Sequence, residues 1–155
     1  MRRLLLASLL TLTVPAFAEP LAPGAALPSI QLKDQHDKMH TVPADTSLLI
    51  FAVEKAPSDM VNEVLMARPK DFLATRQAVF IADISEMPSF VTGMFALPKM
   101  RERPYPVLLG YEAADTSFMP RRKGTVTLIH LKDGAVTSVD YVTEAAALNQ
   151  ALDLR

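Results

Sequence analysis

"SLLIFAVEKAPSDMVNEVL", residues 47–65, passes from an apolar run through a polar turn into an amphipathic stretch. Leu48–Val53 is a compact apolar block bounded by turn formers, the pattern of a strand buried on both faces. Pro57, Ser58 and Asp59 then supply helix-start chemistry, with Ser58 or Asp59 expected as the N-cap. Met60, Val61, Val64 and Leu65 form one stripe at helical spacing, and the helix is expected to stop before Pro69. A buried strand feeding a helix is the repeating unit of a parallel α/β sheet.

The chain on either side extends that unit. "AVFIADI" (78–84) reads as a second central strand. Ser85 is expected to cap the next helix, with Pro88 in its first turn. Phe90, Val91, Met94, Phe95 and Leu97 are expected to form that helix's core face, and Pro98 to end or kink it. "YPVLLGY" (105–111) is a short strand-like piece, followed by a polar connection with one loose helical turn. Upstream, "EPLAPGAALP" is an extended lead-in (19–28), and "SIQLKDQHDKMHTV" (29–42) reads as a β-hairpin. Downstream, "GTVTLIHL" and "AVTSVDYV" alternate around Lys132-Asp133-Gly134, the clearest hairpin signal in the chain. A last helix follows Thr143, with Ala146, Leu148 and Leu152 inward. This order predicts an α/β domain over 29–155: one mixed sheet, parallel at its centre, with helices on both faces.

The first eighteen residues have a separate character. Arg2 and Arg3 precede the apolar run Leu4–Val14, and Ala16-Phe17-Ala18 is a small-residue cleavage site. That is the pattern of a cleaved export signal, too short for a membrane span, which predicts a periplasmic or secreted chain beginning at Glu19. Without Arg2 and Arg3, the remaining Lys and Arg face 17 Asp and Glu, so the exported chain is mildly acidic. Nucleic acid is a poor partner for such a surface. The chain contains no cysteine. Thiol nucleophiles, disulfides, thiol–disulfide exchange and iron–sulfur clusters are therefore excluded outright.

The element order, with "LPSIQLKDQHDK", "LLIFAVEKAPSDMVNEVL" and "VTLIHLKDGAVTSVDYV", resembles the thioredoxin-like fold in its redoxin or peroxiredoxin-type version. That resemblance implies a mixed sheet flanked by helices with an N-terminal β-hairpin. It implies that Ala56-Pro57-Ser58-Asp59 stands where the family carries its redox cysteines. It also implies that Val126-Thr127 replaces the family's proline–threonine pair before the antiparallel strand. The chain further resembles small secreted proteobacterial proteins labelled as flavin (FAD/FMN)-containing dehydrogenases, which implies a bound flavin. It has five glycines and no glycine-rich strand–turn–helix fingerprint.

Candidate residues gather at the ends of the two central strands. Glu54, Lys55, Ser58 and Asp59 lie between strand and helix, where open α/β sheets take ligands. A hydrolytic role for Ser58 would need His130, which is predicted to lie mid-strand. Asp83 and Glu86 follow the second strand and suit acid–base work or helix capping. Arg101, Arg103, Arg121, Arg122 and Lys123 bracket the 98–123 connection and would form a basic patch if its ends meet. His36 and His40, with Asp34, Asp37 and Met39, are weak candidates for a metal such as copper. Of the methionines, Met60 and Met94 are expected in the core, and Met39, Met100 and Met119 outside it. Three functions follow: binding of a protein partner or small ligand at the rim near Glu54–Asp59, Glu86, Arg121 and Arg122; oxidoreduction through a bound flavin or glutathione; or metal binding through His36 and His40.

Overall fold

The computed structural model describes residues 19–153, so the expected leader (1–18) and the last two residues lie outside the described part. The strands are β1 (Gln31–Asp34), β2 (Met39–Thr41), β3 (Leu48–Ala52), β4 (Ala78–Asp83), β5 (Leu108–Gly110), β6 (Val126–Lys132) and β7 (Ala135–Val142). The helices are α1 (Lys55–Met66), α2 (Phe72–Thr75), a continuous helix α3 (89–101) and α4 (Ala145–Asp153), with a 3-10 turn at Ala113–Thr116. All strands join one sheet in the order β2-β1-β5-β4-β3-β6-β7. β3, β4 and β5 run parallel, while β1 on β5 and β6 on β3 are antiparallel.

β3 is the centre because all five of its residues are buried. Leu48, Ile50 and Ala52 point to one face, where Val61, Val64 and Leu65 of α1 and Leu148 and Leu152 of α4 cover them. Leu49 and Phe51 point to the other, against Leu21, Ile30, Met119 and Ile129. Burying each such Leu, Ile or Phe contributes roughly 1.5–3 kcal/mol. The β6–β7 turn is as expected: Asp133 and Gly134 take φ of 52° and 76°, the left-handed pair of a two-residue hairpin.

Among the described residues, the helices gather on one face rather than two. The second face is covered by the lead-in (Leu21, Ala25, Leu27) and by Phe118 and Met119. Handedness accounts for this. The steps β3→β4→β5 go the same way across the sheet, so right-handed crossovers place α1 and α3 on the same side. Met119, expected outside the core, is 1 % exposed there.

α3 departs further from expectation. It holds a wide π turn at Thr92–Ala96, and the Leu97 N–H donates to the Thr92 carbonyl, five residues back. Pro98 then begins the final segment instead of ending the helix, at a point where its missing N–H is tolerated. Phe90, Met94 and Phe95 face outward, and only Leu97 and Met100 of this helix pack on the main core. Tyr105, Val107 and α1 belong to that core instead.

The N-terminal hairpin is tied in by a side chain the sequence did not single out. Gln35 is 1 % exposed. Its Nε2 donates to the Tyr105 carbonyl at 2.8 Å, and its Oε1 accepts the Val107 N–H at 2.9 Å. The amide thus stands in for a ladder partner beyond the end of β1.

Candidate binding cleft

β3 and β4 end together, with Ala52 opposite Ala82, and the chain leaves them as Val53-Glu54 and Ile84-Ser85. α1 starts directly at Lys55, with Glu54 as an extended N-cap that makes no side-chain capping bond. Ser58 and Asp59 are therefore inside the first turns of the helix and cap nothing. Pro57 sits buried within that first part, where its lack of an N–H is harmless. The Ser58 carbonyl accepts from Asn62 Nδ2 at 2.7 Å, and Asp59 pairs with Lys55. Tyr105, a buried phenol whose pKa burial pushes up, donates from its hydroxyl to Asn62 Oδ1 at 2.9 Å and fixes this side of α1.

Between α1 and α3 lies an open cleft of about 280 Å³. Lys55, Ser58, Asp59 and Asn62 form its α1 wall, and Val91, Phe95, Ala96, Lys99 and Met100 its α3 wall. Ala82, Ile84 and Met87 make the floor. The lining is largely apolar with charges on the rim, the character of a site that buries an apolar group and orients it with a few polar contacts.

Asp83 closes the floor on the sheet side. Its Oδ1 accepts from the Ser85 N–H at 2.9 Å and the Ser85 hydroxyl at 2.7 Å. Its Oδ2 accepts from the Thr116 hydroxyl and from Arg121 Nη1, the latter at 3.1 Å. Burial pushes this carboxyl's pKa up, but the bonds from Ser85, Thr116 and Arg121 outweigh burial and leave it lowered. Every acceptor site is used, so Asp83 holds the loops in place and has no lone pair left for acid–base work. Gly110 lies against the same cluster: a Cβ there would stand 2.7 Å from Thr116 Cγ2.

Of the residues singled out from sequence, Glu54, Lys55, Ser58 and Asp59 line the cleft together. Glu54 also accepts the Gly124 N–H at 2.9 Å, which ties the cleft to the loop before β6. Glu86 is exposed in the turn beside Met87. Arg121 reaches the cleft only through Asp83 and stacks over the Phe51 ring, 5.2 Å from its centre. Arg122 turns away to the Tyr141 ring at 4.2 Å. Arg101 binds the Gln35 carbonyl and Asp37 instead. Arg103 instead lines the cleft, so the cations that were to form one basic patch are dispersed. Asn62, Val91 and Ala96 were missed. The signal for Val91 was the helical spacing, read as a core face.

The other chemical readings fare as follows. His130 pairs with Leu48 at the start of β3, the opposite end of the strand from Ser58, so no Ser–His couple forms. His40 Nε2 lies 2.6 Å from Asp34 Oδ2, and the Asp34 carboxyl also accepts the His36 and Lys38 N–H groups. Burial pushes the Asp34 pKa up, and these bonds bring it below its ordinary value. His36 is exposed. No group of three or more His, Asp or Glu able to hold a metal occurs among the described residues.

No family model matches the chain, and no curated protein matches it. Solved structures do. Peroxidoxin BcpB from Mycobacterium tuberculosis is 14 % identical, with TM-score 0.53 over 85 % of this chain and 94 % of that one. A SCO1/SenC family lipoprotein from Bacillus anthracis is 11 % identical, with TM-score 0.52 over 88 % and 97 %. The pneumococcal exposed lipoprotein thioredoxin Etrx1 from Streptococcus pneumoniae is 12 % identical, with TM-score 0.52 over 81 % and 98 %. Nothing among these supports the flavin-dehydrogenase resemblance. The chain has the thioredoxin-like fold, with its N-terminal hairpin, and lacks the cysteines on which thiol redox chemistry depends.

Proposed function

We propose that this is an exported thioredoxin-like domain that has no redox chemistry and works by binding a ligand, protein or small molecule, in the cleft between α1 and α3. One observation carries the reading: the cleft lies at the start of α1, beside Ala56-Pro57-Ser58-Asp59, which the thioredoxin-like resemblance sets in place of the redox pair, and its floor and α3 wall are apolar and open. Apolar surface left uncovered beside satisfied polar groups favours a partner that covers it. Export rests on the residues 2–18 pattern; the mass of the chain in the periplasm of a Gram-negative host should correspond to Glu19–Arg155.

The binding reading is tested with a neutral apolar fluorophore, N-phenyl-1-naphthylamine, titrated into the purified protein and into Ala96→Trp. The indole would fill the cleft from a half-exposed position on α3 and pack on the floor at Ala82 and Ile84. Saturable binding at one site is expected, weakened at least about tenfold in the variant. Absence of saturable binding, or equal binding by both proteins, overturns the reading.

A further inference from the structure

α3 turns large apolar side chains away from the protein: Phe90, Met94 and Phe95 are 66 %, 68 % and 61 % exposed. Scattered exposed apolar residues are ordinary, but three within six positions of one helix make a patch. Gly93 sits among them. A Cβ added at Gly93 would meet nothing within 4 Å, and its φ is not left-handed, so nothing within the chain requires glycine there. Glycine weakens a helix interior relative to alanine. What it does provide is a notch in the middle of the apolar ridge, through which another backbone can approach.

The charges around the ridge are arranged by sign. Glu86 precedes it, and Lys99 and Arg103 follow it. None of their three side chains has a hydrogen-bond or ion-pair partner among the described residues. Glu102 shares the basic end, and Asp59 and Glu63 of α1 face it across a shallow groove.

We infer that this ridge is a homodimer interface, in which α3 of a second copy crosses antiparallel at Gly93. A two-fold interface is self-complementary: if residue i meets residue j, then j meets i. In sequence, Phe90 and Phe95 are equidistant from the midpoint beside Gly93, and so are Glu86, in the turn before α3, and Lys99. An antiparallel crossing therefore sets aromatic against aromatic and acid against base, twice each. A parallel crossing would set Glu86 on Glu86 and Lys99 on Lys99. Because Phe95 also lines the cleft, the second copy closes the cleft's open side. This inference does not depend on the proposed ligand binding.

Sedimentation velocity over roughly a hundredfold range of concentration tests it. The full chain should be dimeric at the upper end. Met94→Glu should be monomeric throughout, with a melting curve that matches the parent's at concentrations where the parent is also monomeric, since Met94 makes no core contact. Glu86→Lys should dissociate at several-fold higher concentration than the parent, and Glu86→Lys/Lys99→Glu should recover the parent's affinity. A monomer at every concentration overturns the inference. So does a dimer that survives Met94→Glu, or a double variant no better than Glu86→Lys alone. If the monomer binds vesicles of phosphatidylethanolamine and phosphatidylglycerol and Met94→Glu abolishes this, the ridge belongs to a membrane surface and the dimer is refuted.

Discussion

Replacing Asp83 by Asn removes the charge on which four donors converge. The carboxylate side chain is 1 % exposed, whereas the Arg121 side chain is 41 % exposed. A hydrogen bond to a charged group contributes about 1.5–3 kcal/mol, but the contributions are not additive. Ser85 and Arg121 can turn to water, so their share is discounted for solvent access. Thr116, 1 % exposed, retains only an Arg121 contact at 3.1 Å from its hydroxyl. An Asn amide must also aim its NH2 at one of these donors. A net loss of about 2–4 kcal/mol follows, which for a domain of this size lowers the melting temperature by roughly 10 °C. The pH dependence is specific. The folded pKa of Asp83 lies below its unfolded value, so its stabilisation is complete above the unfolded carboxylate pKa, near 3.9, and fades as pH falls through the folded value. Urea titrations at neutral pH and at successive acid pH values should show the gap between parent and Asp83→Asn closing only below about pH 4. A neutral-pH gap under about 0.5 kcal/mol, or a gap that persists unchanged at pH 3, would refute the assignment.

Three further substitutions probe the frame around the cleft. Gln35→Leu leaves the buried Tyr105 carbonyl and Val107 N–H unpaired and should cost about 2–4 kcal/mol in urea unfolding. Gly110→Ala forces a Cβ to within 2.7 Å of Thr116 Cγ2, which Asp83 holds in place, and should cost about 1–3 kcal/mol in a thermal melt. His40→Ala, which breaks the bond to Asp34, should destabilise by about 1 kcal/mol, while His36→Ala on the exposed turn should be within about 0.5 kcal/mol of the parent.

The parts of this fold that were legible in the sequence are those fixed by short-range pattern. β3 reads as an unbroken apolar run because it is buried on both faces, and Asp133-Gly134 reads as a hairpin because few residues adopt paired left-handed φ. What was not legible depends on distant partners. The stripe on α3 has the spacing of a core face, yet only Leu97 and Met100 pack on the core, while Phe90, Met94 and Phe95 emerge outward. Ser58 and Asp59 have capping chemistry, but Pro57 is tolerated within a first turn, so the helix begins at Lys55. The Asp83 cluster joins residues 33 and 38 positions apart, and no local pattern announces Thr116 or Arg121 as its members. Glu54, Lys55, Ser58 and Asp59, singled out by their strand-end position, line the cleft's α1 side, while its α3 side was read as a core face.

The central claim is that the protein acts through what it holds between α1 and α3. A photoreactive residue placed at Ala96 in the cleft, and in a control at Asp133 on the hairpin at the opposite end of the sheet, reports this directly in the host cell. A discrete cross-linked species other than a dimer of this chain, formed from position 96 and absent from 133, is the predicted result. No cross-link from 96, or the same species from both positions, would contradict the account.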